Sequence, residues 1–131
     1  MKLKVTPFLM FEGKAEDAMN FYSTIFAGAE TVEMDRYGKD EPDREGTIKR
    51  ALFRIGSQEI YFIDSPPVHD FTFTPAFSFF VDLEDEAGLR EVAAKLSDRG
   101  KILMPLDNYG FSRLFTWISD KFGVSWQLNL P

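Results

Sequence analysis

The sequence predicts an α+β fold made of two β-α-β-β-β modules within one domain spanning residues 1–131. Three observations predict it. One order of elements runs twice with a period of about 70 residues, which suits a module duplication rather than a short solenoid repeat. Two apolar stripes at helical spacing each follow an extended run. Each stripe stops at a glycine, Gly28 and Gly100, where a left-handed C-terminal residue is expected.

The first module, about residues 1–65, opens with an extended run from Val5 to Phe11 and turns at Glu12-Gly13. A helix is expected over about Ala15 to Ala27, because Ala18, Phe21, Tyr22, Ile25 and Phe26 fall at i, i+3, i+4, i+7 and i+8. Strands are expected at Glu30 to Tyr37, Ile48 to Ile55 and Glu59 to Asp64, the last two joined by Gly56-Ser57. The second module, about residues 76–131, repeats this plan. Phe77 to Leu83 is extended, Glu84-Asp85-Glu86 suits a helix start, and Leu89, Val92, Ala93 and Leu96 form the stripe. Strands follow at about Lys101 to Met104, Arg113 to Ser119 and Val124 to Leu130, with a hairpin at Asp120-Lys121-Phe122-Gly123. Gly38 to Gly46 is a charged loop, and the proline-rich stretch Ser65 to Pro75 is the natural link between modules.

Composition removes several function classes. With no cysteine there is neither a disulfide nor a thiolate site, so packing must hold the chain. A net charge of −6 with scattered Lys and Arg argues against nucleic acid and mildly favours a cationic ligand. No run of 18 apolar residues and no signal-like N-terminus is found, so a soluble, cytoplasmic chain without membrane contact is expected. Fourteen Phe suit both a core and the walls of a small-molecule pocket.

The segment Thr6-Pro7-Phe8-Leu9-Met10-Phe11-Glu12-Gly13, then Glu16-Asp17-Ala18 and Phe21-Tyr22, resembles the opening of PhnB-like proteins. Met104-Pro105-Leu106 and the closing Asp120-Lys121-Phe122-Gly123-Val124-Ser125-Trp126-Gln127-Leu128 resemble the same family. These proteins form a branch of the glyoxalase, bleomycin-resistance and extradiol dioxygenase (vicinal oxygen chelate) superfamily. The resemblance implies a curved, mostly antiparallel sheet with helices on its convex side, and a homodimer whose pockets are shaped by both chains.

Metal-dependent members of that superfamily carry ligands on the first and last strands of each module. By the resemblance these positions fall on Pro7, Ala76, Gln127 and either Tyr61 or Phe62. Proline and alanine offer no donor atom, so neither a metal nor another cofactor is expected. His69, beside Asp70 and five residues after Asp64, is the one histidine; its alternatives are an oriented base and an ordinary loop residue. No Gly-x-Ser-x-Gly, Gly-x-Gly-x-x-Gly or glycine-punctuated calcium loop occurs, which leaves a hydrolase triad, a nucleotide-type cofactor and methyl transfer without support.

What remains is an aromatic, partly polar cavity, expected on the concave face and lined by Leu9, Phe11, Phe115, Trp117, Gln127 and Asn129. Phe115 and Trp117 equally suit a dimer interface or a module core. The expected function is metal-independent binding or sequestering of a small aromatic or cationic molecule. The alternatives are a divergent lyase or dioxygenase-like enzyme using a recruited metal or His69 and Asp64, and an interaction module with no ligand.

Overall fold

The computed structural model describes residues 1–131, which divide into two compact units, Met1–Thr72 and Phe73–Pro131. The boundary falls inside the proline-rich stretch. Each unit is a β-α-β-β-β module with one four-stranded mixed sheet and one helix, so the α+β class and the duplication are both present.

Unit 1 contains β1 (Phe8–Phe11), α1 (Ala15–Ile25), β2 (Glu30–Arg36), β3 (Ile48–Ile55) and β4 (Gln58–Asp64) in the sheet order β1-β4-β3-β2. The β1/β4 pair is parallel and the other two are antiparallel. α1 buries Ala15, Ala18, Met19, Tyr22 and Ile25, adding Met19 to the expected stripe and leaving Phe21 half-buried. Tyr22 meets Phe62 edge-on at 6.1 Å, and Phe62 stacks on Phe11 at 5.3 Å and abuts Phe53 at 5.4 Å. That ring cluster is the core between helix and sheet.

Unit 2 contains β5 (Ser78–Asp82), α2 (Glu86–Ser97), β6 (Lys101–Asp107), β7 (Leu114–Ser119) and β8 (Ser125–Leu130), in the order β5-β8-β7-β6. Its parallel pair is β5/β8. Asp85 caps α2 by accepting a hydrogen bond from Gly88 N at 2.7 Å, which is the helix start expected from the acidic run. Leu89, Val92, Ala93 and Leu96 are buried, and α2 lies against β7 and β8. Trp126, Leu128, Ile118 and Thr116 form the buried sheet face; Thr116 satisfies its hydroxyl on Met104 O at 2.8 Å. Phe79 joins this side against Trp126 at 5.0 Å, whereas Phe77 is exposed.

Two expectations change. β6 runs to Asp107 rather than Met104, through two bulges and Pro105; as the edge strand, it tolerates a residue with no N–H. Gly100 does not end α2 as Gly28 ends α1. Gly28 has φ +78°, but after α2 it is Arg99 that turns left-handed, at φ 58°. Gly100 is required by proximity, since a Cβ there would lie 2.5 Å from Ser119 O.

Candidate functional site

The two faces of the unit 2 sheet differ in chemistry. Because residues alternate along a strand, Trp126, Leu128 and Leu130 point to one side and Ser125, Gln127 and Asn129 to the other. The register then assembles the second face: Gln127 pairs with Trp117 on one side and Phe80 on the other, and Asn129 with Phe115 and Asp82. Phe115 is buried on this face by other rings. Phe111 stands over it at 5.0 Å, Tyr109 at 5.9 Å and Phe80 at 6.4 Å. Those three rings are themselves 62%, 37% and 56% exposed. Tyr109 is anchored by its hydroxyl, which donates to Pro105 O at 2.6 Å.

The polar side chains here are held in fixed poses. Trp117 donates Nε1–H to Ser125 Oγ at 2.8 Å, and the Ser125 hydroxyl lies 2.7 Å from that of Ser78. Asn129 donates through Nδ2 to Asp82 Oδ1 at 2.9 Å, while its own Oδ1 is buried with no donor. Gln127 is half-buried between Trp117 and Phe80. Four of the residues expected in the ligand site, Phe115, Trp117, Gln127 and Asn129, are thus neighbours on one face. Sequence reasoning missed Phe80, Tyr109 and Phe111; alternation along β5, which sets Phe80 opposite Phe79, is the signal that points to the first.

Leu9 and Phe11 are turned the other way. Both are buried, and the Phe11 ring packs in the cluster under α1, so neither lines an open face. The physical reason is parity in β1. Phe8 and Met10, not Leu9 and Phe11, share the uncovered side with Tyr61; Phe8 lies 6.4 Å from that ring. The choice between Tyr61 and Phe62 is settled by the same alternation: Phe62 is core and Tyr61 faces away from α1, with the Arg50 guanidinium 5.1 Å over its ring.

Asp64, a candidate base, is committed to the backbone. Its Oδ1 accepts from Ala15 N at 3.0 Å and its Oδ2 from Ile48 N at 2.9 Å, so one buried carboxylate caps α1 and anchors β3. Asp120 plays a similar part in unit 2, accepting from Phe122 N, Val124 N and Trp126 Nε1 at 2.8, 3.1 and 2.9 Å. His69 is exposed and stacks on Phe71 at 4.9 Å. A cavity of about 500 Å³ lies in unit 1 among Glu12, Asp43, Arg44, Asp64 and Pro66, none of them an expected ligand residue. Arg44 in its wall is already engaged with the Tyr37 ring at 5.3 Å.

A divalent ion of the kind held by metal-dependent members of the fold needs three or more oxygen or nitrogen ligands. Pro7 and Ala76 supply no side-chain donor, Phe62 is in the core, Tyr61 and Gln127 bring only a phenol and a neutral amide, and no three His, Asp or Glu side chains are grouped to hold a metal. The residues present do not fit the ion. No helix is long and apolar enough to cross a membrane.

Comparison with known proteins places this geometry in a family. A structure from Bacillus cereus described as a 3-demethylubiquinone-9 3-methyltransferase, PhnB protein, is 51% identical with a TM-score of 0.93, covering 98% of this chain and 100% of that one. Protein YjdN of Escherichia coli K12 is 25% identical over 98% of this chain and 95% of its own length. FosX of Listeria monocytogenes, a fosfomycin resistance protein complexed with Mn(II) and 1S,2S-dihydroxypropylphosphonic acid, shares the fold at 12% identity, with a TM-score of 0.69 over 100% of this chain and 94% of that one. The family model described as 3-demethylubiquinone-9 3-methyltransferase matches residues 3–129, and the chain therefore belongs to that family, the PhnB-like one its motifs resemble.

Proposed function

We propose that this protein binds or sequesters a small organic molecule without a metal ion, on the aromatic face of unit 2, and that it acts as a cytoplasmic homodimer. The observation that carries the reading is the set of three exposed rings, Phe80, Tyr109 and Phe111, grouped around buried Phe115 beside Gln127 and Asn129. Large rings left in water cost apolar surface that a flat ligand would cover, and the Asn129 amide, held by Asp82, would orient it. Metal independence is supported by the donorless Pro7 and Ala76. The family description names a methyl transfer, but the sequence has no glycine-rich turn to seat a nucleotide-type methyl donor.

The enzyme alternative, lyase or dioxygenase-like chemistry through a recruited metal or through His69 and Asp64, has less behind it. Both Asp64 oxygens are taken by backbone N–H groups, and His69 lies against Phe71. The test is a thermal-shift series with EDTA, divalent metals and a panel of aromatic and cationic compounds. A ligand at a hundredfold excess over its Kd stabilises the native state by about 2.7 kcal/mol, enough to raise Tm by several degrees. Stabilisation by an organic compound, with EDTA and metals inert, is the expected result. A Tm that falls with EDTA and returns with one metal overturns the metal-free reading and favours the enzyme.

A further inference from the structure

The exposed face of unit 2 is rich in acceptors at one end. The register sets Asp107, Phe115, Asn129 and Asp82 in a single row across β6, β7, β8 and β5. Asn129 is 8% exposed, and its bond to Asp82 fixes which way the amide points, because the reverse orientation would set oxygen against oxygen. The buried Oδ1 is therefore an acceptor with no donor. Asp82 itself is exposed and takes part in none of the chain's ion pairs. Asp107 accepts from Asn108 N. Arg113 instead donates its Nε–H to Pro131 O at 2.8 Å, and Lys101 lies at the other end of the strand pair, opposite Ser119. A buried acceptor without a partner is costly, and here it adjoins an uncompensated carboxylate and a group of rings.

We infer that this end of the face is a recognition subsite for an organic cation, an amidinium or protonated amine joined to a flat ring. The inference rests on the binding function proposed above and names its ligand class. The cationic N–H groups satisfy Asn129 Oδ1 and neutralise Asp82, and the ring packs among Phe80, Tyr109 and Phe111. Each alternative ligand charge fails one of these contacts. An anion meets Asp82 and Asp107, and a neutral ring leaves the Asp82 charge unneutralised even where a hydroxyl reaches Asn129 Oδ1. Oδ1 is covered in the free chain, so a neighbouring side chain must move aside to admit the donor. Phe111 has the most freedom to do so, being the most exposed ring of the group and following Gly110 at φ +92°.

Benzamidine, benzyl alcohol and benzoate have similar rings and differ in charge, and their binding to the full chain is measured by calorimetry and by thermal shift. Benzamidine is expected to bind at least about tenfold more tightly than the other two. Asp82→Asn, at an exposed position, is expected to remove that preference while leaving benzyl alcohol unchanged. Asn129→Leu is expected to weaken benzamidine similarly, with a Tm no lower than that of the parent because a buried unpaired acceptor is gone. Equal binding of benzamidine and benzyl alcohol overturns the cation subsite and leaves the aromatic site standing. Benzamidine binding that is indifferent to Asp82→Asn also overturns it. No binding by any of the three overturns both readings.

Discussion

Asp64 shows how one side chain can be mistaken for chemistry. In the sequence it is a carboxylate five residues from the lone histidine; in the fold it is buried, with one oxygen accepting Ala15 N–H and the other Ile48 N–H. Lys14, at the start of α1, makes no side-chain cap, so the cap comes from β4, 49 residues along the chain. Replacing Asp64 by Asn sets an amide NH2 against a backbone N–H. Asp64→Asn is expected to lose about 1–3 kcal/mol in urea denaturation. Asp70→Asn, in the exposed link, is expected to stay within about 0.5 kcal/mol of the parent. Equal effects would remove the capping role. Asp120, by contrast, binds donors two to six residues away, and its hairpin was legible from Asp120-Lys121-Phe122-Gly123 alone.

The two helices are ended and tied down in different ways. Gly28 supplies a left-handed turn with open space around it, whereas a side chain at Gly100 would collide with Ser119 O. Gly100→Ala is therefore expected to cost about 1–3 kcal/mol by forcing β6 and β7 to shift. Arg99→Gly, which removes a non-glycine residue from positive φ, is expected to be neutral or stabilising in the same denaturation assay. α1 is joined to β2 by Arg36, whose Nη1 and Nη2 donate to the two carboxylate oxygens of Glu16 at 2.9 and 2.5 Å. The hydrogen bond from Arg36 holds the Glu16 carboxyl below its ordinary pKa. The folded pKa is thus lower than the unfolded one, so the pair's stabilisation is fully present above the ordinary carboxylate range and disappears as pH falls through the depressed value. Glu16→Gln should accordingly destabilise at pH 7 by a small, salt-sensitive amount, because both side chains are partly exposed. Denaturation at acid pH should show that difference vanish; a difference that persisted would mean that packing, not charge, is the cause.

At the scale of the whole molecule, the proposed homodimer should sediment near 30 kDa, twice the 15.0 kDa of one chain. Exposed Phe8 and Phe77 offer apolar contact between copies, and a 15.0 kDa species at micromolar concentration would overturn it. The sequence by itself determined the duplication, the α+β class, the family and most strand limits, because periodicity, glycine turns and family motifs are local properties. It also determined that Phe115, Trp117, Gln127 and Asn129 share a face once their strands pair in register. Only the tertiary structure decided which face of each strand meets a helix. Leu9 and Phe11 alternate with Phe8 and Met10, all four are apolar, and nothing local distinguishes the two sides. Phe11 lies inward because Phe62 and Tyr22 complete its ring cluster. The rings of Tyr109 and Phe111 likewise reach Phe115 only because the loop after β6 folds over β7, and the unpaired Asn129 acceptor exists only because Asp82, 47 residues away, takes the other end of its amide.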